Sequence, residues 1–279
     1  MTEPIARPFI KWAGGKQQLL GQFAPFFPRA FTRYIEPFAG SGAVFFHLYA
    51  TQRLSGSAYL FDANEELVNL YQAVRNQVRE LLKVLAHHQA HHCRNYYYHV
   101  RGLDRQPGTM PPLQRAARTL YLNRTCYNGL YRVNKQGQFN VPMGRYRNPR
   151  ILRAPVLRAA SLALQQAHVA VKGFRDLPDF AAAGDFFYFD PPYHPLSPTA
   201  SFTGYTKYAF SAQDQADLAR VFRVLTQKHC LCMLSNSSTP YTRSLYQDFQ
   251  IETVCARRSV NSRATGRGPV QEIVVRNYG

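Results

Sequence analysis

Arg33-Tyr34-Ile35-Glu36-Pro37-Phe38-Ala39-Gly40-Ser41-Gly42 is the stretch on which the fold turns. Arg33 to Glu36 is short and β-prone, Pro37 breaks it, and two glycines then flank Ser41. The apolar run Ala43 to Ala50 has helical character, and Ala58-Tyr59-Leu60-Phe61 makes a second strand that ends at Asp62. Strand, glycine turn, helix, strand is half of a doubly wound α/β unit. Glycines between a strand and a helix let a ligand approach the backbone beside a helix N-terminus. Glu36, Phe38, Ala39, Gly40 and Gly42 are therefore candidate cofactor residues. Asp62, about twenty residues past the turn, is placed to accept both hydroxyls of a ribose. A complete dinucleotide fingerprint needs a third small residue where Phe45 stands, which disfavours NAD and FAD. Ala13-Gly14-Gly15-Lys16 fails as a phosphate loop, because Ile10 replaces its first glycine and Gln17 its Ser or Thr.

Downstream the periodicity changes. Leu67, Leu70, Tyr71, Val74, Val78, Leu81, Leu82 and Leu85 recur at helical spacing, so residues 65–92 read as one or two helices. A helix over Leu113 to Asn123 and a loop rich in Gly, Asn and Pro over Cys126 to Pro149 follow. Strand signals return at Val169 to Val171, Phe186 to Phe189 and Cys230 to Leu234, with a helix over Ala212 to Gln227. Ile251 to Ala256 and Glu272 to Arg276 read as a closing antiparallel pair. The expected organisation is an α/β domain, residues 1–64 plus 153–279, interrupted by a mainly helical basic insertion over 65–152.

Phe186-Phe187-Tyr188-Phe189 is wholly apolar and ends in Asp190-Pro191-Pro192-Tyr193. In an open α/β sheet, ligands bind at the C-terminal ends of strands. Two prolines remove two N–H donors, so this corner offers acceptors only: the Asp190 carboxylate and a proline carbonyl. Acceptors alone suit a substrate that bears an NH₂ group, and Tyr193 adds a ring able to stack on a planar base.

Composition narrows the partner. The 279 residues carry 34 Lys and Arg against 16 Asp and Glu, a formal charge of +18. From Arg94 to Arg158 only Asp104 opposes a run of arginines and one lysine. Such one-sided charge suits a polyanion, and guanidinium forks match phosphate oxygens and guanine edges. At 46% hydrophobic and 18% charged residues the chain reads as folded, not disordered. No apolar run is long enough to span a membrane, and Met1 to Pro8 lacks an apolar signal core, so a cytoplasmic protein is expected; with no obligate protein partner evident, a monomer is expected as well. Five cysteines without a CxxC pair argue against a disulfide framework or a zinc site, and no metal is expected.

Phe9-Ile10-Lys11-Trp12-Ala13-Gly14-Gly15-Lys16, Glu36 to Gly42, Asn123-Arg124 with Tyr127-Asn128-Gly129-Leu130, Phe139-Asn140-Val141-Pro142 and Asp190 to Tyr193 occur in this order. Together they resemble the Dam-type (D12 class) DNA adenine-N6 methyltransferases over nearly the whole chain. The Asp-Pro-Pro-Tyr motif alone occurs in several amino-methyltransferase families; FxKWAGGK with YNGLxR is far more specific. The resemblance implies a Rossmann-like S-adenosylmethionine-dependent methyltransferase domain with an inserted target-recognition domain, acting on duplex DNA at GATC by base flipping. It implies that Trp12, Lys16, the Glu36–Gly42 loop, Asp62, Phe174 and Asp190 surround S-adenosylmethionine. Asp190, Pro191, Pro192 and Tyr193 would hold the target adenine. Lys11, Leu130, Arg132 and Pro142 match positions that read the bases. Tyr127 and Asn128 match residues that enter the duplex, Arg145 matches a phosphate contact, and Arg124 and Ser201 fall on the same DNA side. Tyr131 and Thr125-Cys126 depart from the family pattern.

Three further features lie outside this resemblance. His87, His88, His91 and His92 form two i, i+4 pairs and read as a polar helix face able to bind adventitious metal. Cys126 beside Arg124 has the setting of a depressed-pKa thiol, but no partner base accompanies it and no catalysis is assigned to it. Tyr96-Tyr97-Tyr98 could stack on bases or pack the insertion. Alternatives to the leading function are cytosine-N4 methylation, since that amine is also exocyclic, and DNA binding without catalysis.

Overall fold

The computed structural model describes residues 5–105, 110–195, 210–257 and 269–279. Its sheet, among the described residues, has seven strands in the order β3-β2-β1-β4-β5-β7-β6. They are β1 (Tyr34–Glu36), β2 (Ala58–Asp62), β3 (Ala167–Val171), β4 (Phe186–Phe189), β5 (Leu231–Ser237), β6 (Gln250–Arg257) and β7 (Pro269–Arg276). β1 pairs in parallel with β2 on one side and β4 on the other, with Tyr34 opposite Ala58 and Phe186. β4 pairs in parallel with β5. β7 runs antiparallel between β5 and β6.

The order turns round between β1 and β4, so the chain leaves the sheet in opposite directions from these two neighbours. That opens a crevice outside their C-terminal ends. Glu36 with its glycine turn lies at one lip and Asp190 at the other.

Strand β4 shows why this register holds. Phe186 and Tyr188 pack into one hydrophobic cluster with Phe23, Phe45 and Leu70. Phe187 and Phe189 pack into the other, with Leu218, Phe222 and Ile273. The alternation is the period of two of a strand buried on both faces. All four side chains are 1% exposed or less; each buried aromatic of this kind stabilises the fold by about 1.5–3 kcal/mol. A one-residue slip would exchange the two clusters.

The helices are α1 (Leu20–Phe23), α2 (Ala43–Ala50), α3 (Glu65–Asn76), α4 (Val78–Ala90), α5 (Arg94–Gly102), α6 (Pro112–Thr125), α7 (Ala154–Leu164), α8 (Leu177–Phe180), α9 (Ala212–Gln227) and α10 (Pro240–Leu245). The five from α3 to α7 lie between β2 and β3 in sequence. α3 joins them to the sheet through Gln72, whose Nε2 donates to the Val169 carbonyl of β3 at 3.1 Å, and Arg75 Nε donates to the Leu164 carbonyl at the end of α7 at 3.1 Å.

His87 and His91 are exposed, as a polar helix face requires, but His88 departs from it. His88 is 7% exposed, stacks on Tyr121 at 4.8 Å and meets the Tyr96 hydroxyl at 2.8 Å. Burial lowers its pKa to about 4, so the ring is neutral and belongs to the packing of α4, α5 and α6. Tyr97 is fully buried, with its hydroxyl donating to the Val141 carbonyl at 2.9 Å. No group of three or more metal-ligating side chains occurs among the described residues, nor is any described helix long and apolar enough to cross a membrane.

Candidate active site and nucleic-acid interface

At the lip formed by β1, Gly40 and Gly42 take φ of +47° and +66°, where a side chain is strained. A Cβ on Gly40 would also lie 2.9 Å from Trp12 Cδ1, and one on Gly42 2.8 Å from the Tyr71 hydroxyl. Asp62 closes the turn from β2. Its Oδ2 accepts the Gly40 N–H at 3.0 Å and its Oδ1 the Asn64 N–H at 2.9 Å. The Ala63 N–H is a third backbone donor to the carboxylate, whose four lone-pair sites leave room for a hydroxyl donor. Burial raises the Asp62 pKa to about 6, against the lowering effect of these backbone donors. Glu36 is deeper, 2% exposed, with the Tyr34 hydroxyl donating to it at 2.9 Å. Burial raises its pKa to about 8, so at neutral pH its carboxyl is mainly protonated.

Phe38, Phe174 and Phe210 form a three-ring group with centroids 5.8–5.9 Å apart. Trp12 is half-buried and faces Tyr131 of the insertion at 5.2 Å. The departure from the family pattern at Tyr131 thus touches a candidate cofactor residue.

At the other lip, β5 fixes the corner. Ser235 donates to Asp190 Oδ1 at 3.0 Å and meets the Tyr188 hydroxyl at 2.9 Å. Gln215 Nε2 donates to the Pro192 carbonyl at 2.9 Å, and Asn236 Nδ2 donates to Gln215 Oε1 at 2.9 Å. One lone pair of the Pro192 carbonyl is therefore held by the scaffold. Among the described residues no hydrogen bond reaches the Pro191 carbonyl, which makes it, with Asp190, the freer acceptor for an amine.

Lys16 enters this corner from the N-terminal segment. It is 4% exposed, its Nζ lies 2.8 Å from Asp190 Oδ1, and the same nitrogen sits 4.6 Å from the centre of the Tyr193 ring. Tyr193 donates its hydroxyl to Glu272 at 2.7 Å. Burial raises the Asp190 pKa, while Lys16, Ser235 and Tyr193 pull it back.

A second surface gathers the residues expected to meet DNA. Lys11, Tyr127, Asn128, Arg132, Pro142 and Arg145 are exposed, and Leu130 is half-buried. The Tyr127 N–H donates to the Pro142 carbonyl at 2.9 Å, which brings two of them together. Asn128, at φ +55°, and Gly129, at φ +66°, make the turn. Asn123 anchors it from inside: it accepts the Lys11 N–H at 2.9 Å and donates to the carbonyls of Lys11 and Gly129 at 2.7 and 3.0 Å. Arg124 is turned inward, its Nη2 on the Phe9 carbonyl, with its pKa lowered to about 10 by burial and by Arg153. Cys126 is the reverse of the thiol expected: it is buried and its pKa is raised to about 12. Ser201 lies outside the described residues.

Against known families, the model of the D12 class N6 adenine-specific DNA methyltransferases matches residues 12–260. The chain belongs to this family. It is 42% identical over 277 residues to Type II methyltransferase M1.LlaDCHI of Lactococcus lactis subsp. cremoris, covering 98% of this chain and 96% of that one. It is 38% identical over 287 residues to Type II methyltransferase M.MjaIII of Methanocaldococcus jannaschii, covering 98% and 99%. To the DNA adenine methylase of Escherichia coli K12 it is 35% identical over 270 residues, covering 96% and 94%. The protein is an adenine-specific DNA methyltransferase with the α/β fold of that class, and the readings as a cytosine-N4 enzyme or a non-catalytic DNA binder fall away.

Sequence reasoning passed over Ser235, Gln215, Asn236, Glu272 and Phe210. Ser235 and Asn236 are polar side chains at the end of an apolar strand, and Ser235-Asn236-Ser237 directly after Leu234 is the available signal, whereas Gln215 lies on the buried face of α9.

Proposed function

We propose that this methyltransferase uses S-adenosylmethionine to methylate the N6 amine of adenine in GATC, on a base turned out of the duplex. The observation that carries the proposal is the Lys16 ammonium, which is bound to Asp190 and lies over the face of Tyr193. An NH donor above a stacking ring is the arrangement an extrahelical adenine would present to the same two residues. The base must leave the stack to reach a half-buried carboxylate, at a cost of a few kcal/mol that stacking on Tyr193 offsets.

The residues at the first lip fit the methyl donor. Asp62 offers lone pairs to a ribose, the Phe38–Phe174–Phe210 group offers faces and edges to a purine, and Trp12 and Lys16 line the approach. S-adenosylmethionine, when bound, supplies a methyl group on a positively charged sulfur. Asp190 and the Pro191 carbonyl accept the two hydrogens of the adenine amine, which draws its nitrogen toward a tetrahedral shape and localises the lone pair. Tyr193 holds the ring plane, and orientation of this kind supplies much of the rate. After transfer, Asp190 takes the excess proton and passes it to water.

On the second surface, Arg132 would read a guanine, Tyr127 and Asn128 would fill the vacated stack, and Arg145 would hold a phosphate. We assign this recognition to the inserted residues 65–152, and cofactor binding and catalysis to 1–64 plus 153–279.

The test is to methylate a sequenced plasmid, map the modified positions and analyse the nucleosides. N6-methyladenine confined to GATC is expected; another site would refute the sequence assignment while leaving the chemistry intact. Asp190→Ala should abolish turnover with duplex binding retained, and equal loss of both would make Asp190 a structural residue.

A further inference from the structure

Arg132 and Asn140 face each other across a short ribbon. Their backbones pair through the Asn140 N–H and the Arg132 carbonyl at 3.1 Å, and Val133 bridges Phe139 next to them. The side chains then form a fork. Arg132 Nε donates to Asn140 Oδ1 at 2.7 Å, and Arg132 Nη2 reaches the Asn140 carbonyl at 3.4 Å. Both contacts use one edge of the guanidinium, the edge made by Nε and Nη2. The other edge, made by Nη1 and Nη2, is the one a bidentate contact to guanine O6 and N7 can use.

Asn140 is itself on a fixed base. The residue before it is held by α5 and its extension: the Phe139 N–H donates to Asp104 Oδ2 at 2.7 Å, and Arg105 Nη2 donates to the Phe139 carbonyl at 3.1 Å. The residue after it is held by Tyr97, whose hydroxyl donates to the Val141 carbonyl at 2.9 Å. An exposed arginine has many rotamers, and ordering them on binding weakens the contact. Here the ordering is already done by a neutral amide oxygen mounted on the insertion's helices.

We propose that Asn140 is a specificity-positioning residue: it clamps one edge of the Arg132 guanidinium so that the opposite edge is offered to a guanine. This rests on the assignment of Arg132 as a base reader. A neutral acceptor suits the task, because a carboxylate at this place would repel the phosphates that the surrounding arginines attract.

The test measures kcat/KM on the duplex identified by the plasmid map and on each of its single-base-pair variants, for the wild type, Arg132→Ala, Asn140→Ala, Asn140→Asp and the double variant Arg132→Ala/Asn140→Ala. Asn140→Ala should lose about three- to tenfold discrimination at the same base pair that Arg132→Ala affects, the range expected for freeing one ordered side chain. Asn140→Asp, which still accepts from Nε, should keep the discrimination while slowing all duplexes alike. The double variant should discriminate no worse than Arg132→Ala alone.

A uniform loss with Asn140→Ala across all duplexes would make Asn140 a backbone contact or a fold residue and would overturn the proposal. So would additive effects in the double variant. If Arg132→Ala leaves discrimination unchanged at every base pair, the base-reader assignment fails first, and this is distinguishable because the Asn140 variants are read independently.

Discussion

Asp190 and Lys16 define the chemistry at the scale of single residues. A carboxylate at the end of a strand buried on both faces is pushed toward its neutral form by desolvation, and Lys16 opposes that push from 2.8 Å. Catalysis by hydrogen-bond acceptance needs the ionised form. Removing the positive charge in Lys16→Met raises the Asp190 pKa, so the acid side of the kcat/KM profile should move to higher pH. Lys16→Arg, which keeps the charge, should leave the limb in place. A Lys16→Met profile superimposable on the wild type would mean that Asp190 is held ionised by Ser235 and Tyr193 without help from Lys16.

Elements position these residues, and their legibility in the sequence was uneven. Helix α9 was expected over Ala212 to Gln227 and runs over those residues, because Ser211 and Asp214 form a reciprocal capping box ahead of a strongly periodic run. The strand ends at Asp62 and Asp190 were readable for a similar reason: a short apolar run stops at a carboxylate. Helices α5 and α7 were not, since α5 buries only Tyr97 and Val100 and is otherwise polar and aromatic, while α7 is so rich in alanine that its face has little contrast. Ser235 and Glu272 were hidden differently, because their roles come from β5 lying beside β4 and β7 beside β5, pairings that no local pattern encodes. The same holds for the joint between the N-terminal segment and α6. Asn123 is 2% exposed and satisfies Lys11 and Gly129 with three hydrogen bonds. Asn123→Ala would leave the two Lys11 groups and the Gly129 carbonyl without these partners, and should cost about 2–3 kcal/mol of stability. The midpoint of urea unfolding measures it, and a shift within error of zero would mean that water replaces the amide.

For the whole molecule, the charge of +18 acts as a field and not as a set of contacts. The sheet, buried on both faces along β4, leaves the basic excess to the surface, and Arg132 and Arg145 are both exposed on the face that carries the Tyr127–Gly129 turn. Phosphate neutralisation releases counterions, so duplex affinity should fall steeply as salt rises, with a log–log slope of about −0.9 for each phosphate engaged. Two variants separate the field from the code. Arg145→Ala should weaken binding to every duplex alike and make the slope shallower by about 0.9, the loss of one phosphate contact. Arg132→Ala should instead lose about 1–3 kcal/mol at one base pair while the salt slope changes little. Equilibrium titrations of cognate and scrambled duplexes at four or more salt concentrations distinguish the two patterns. If both variants flatten the slope equally and neither alters discrimination, the exposed arginines serve only to gather DNA, and recognition must lie with Lys11, Leu130 and Pro142.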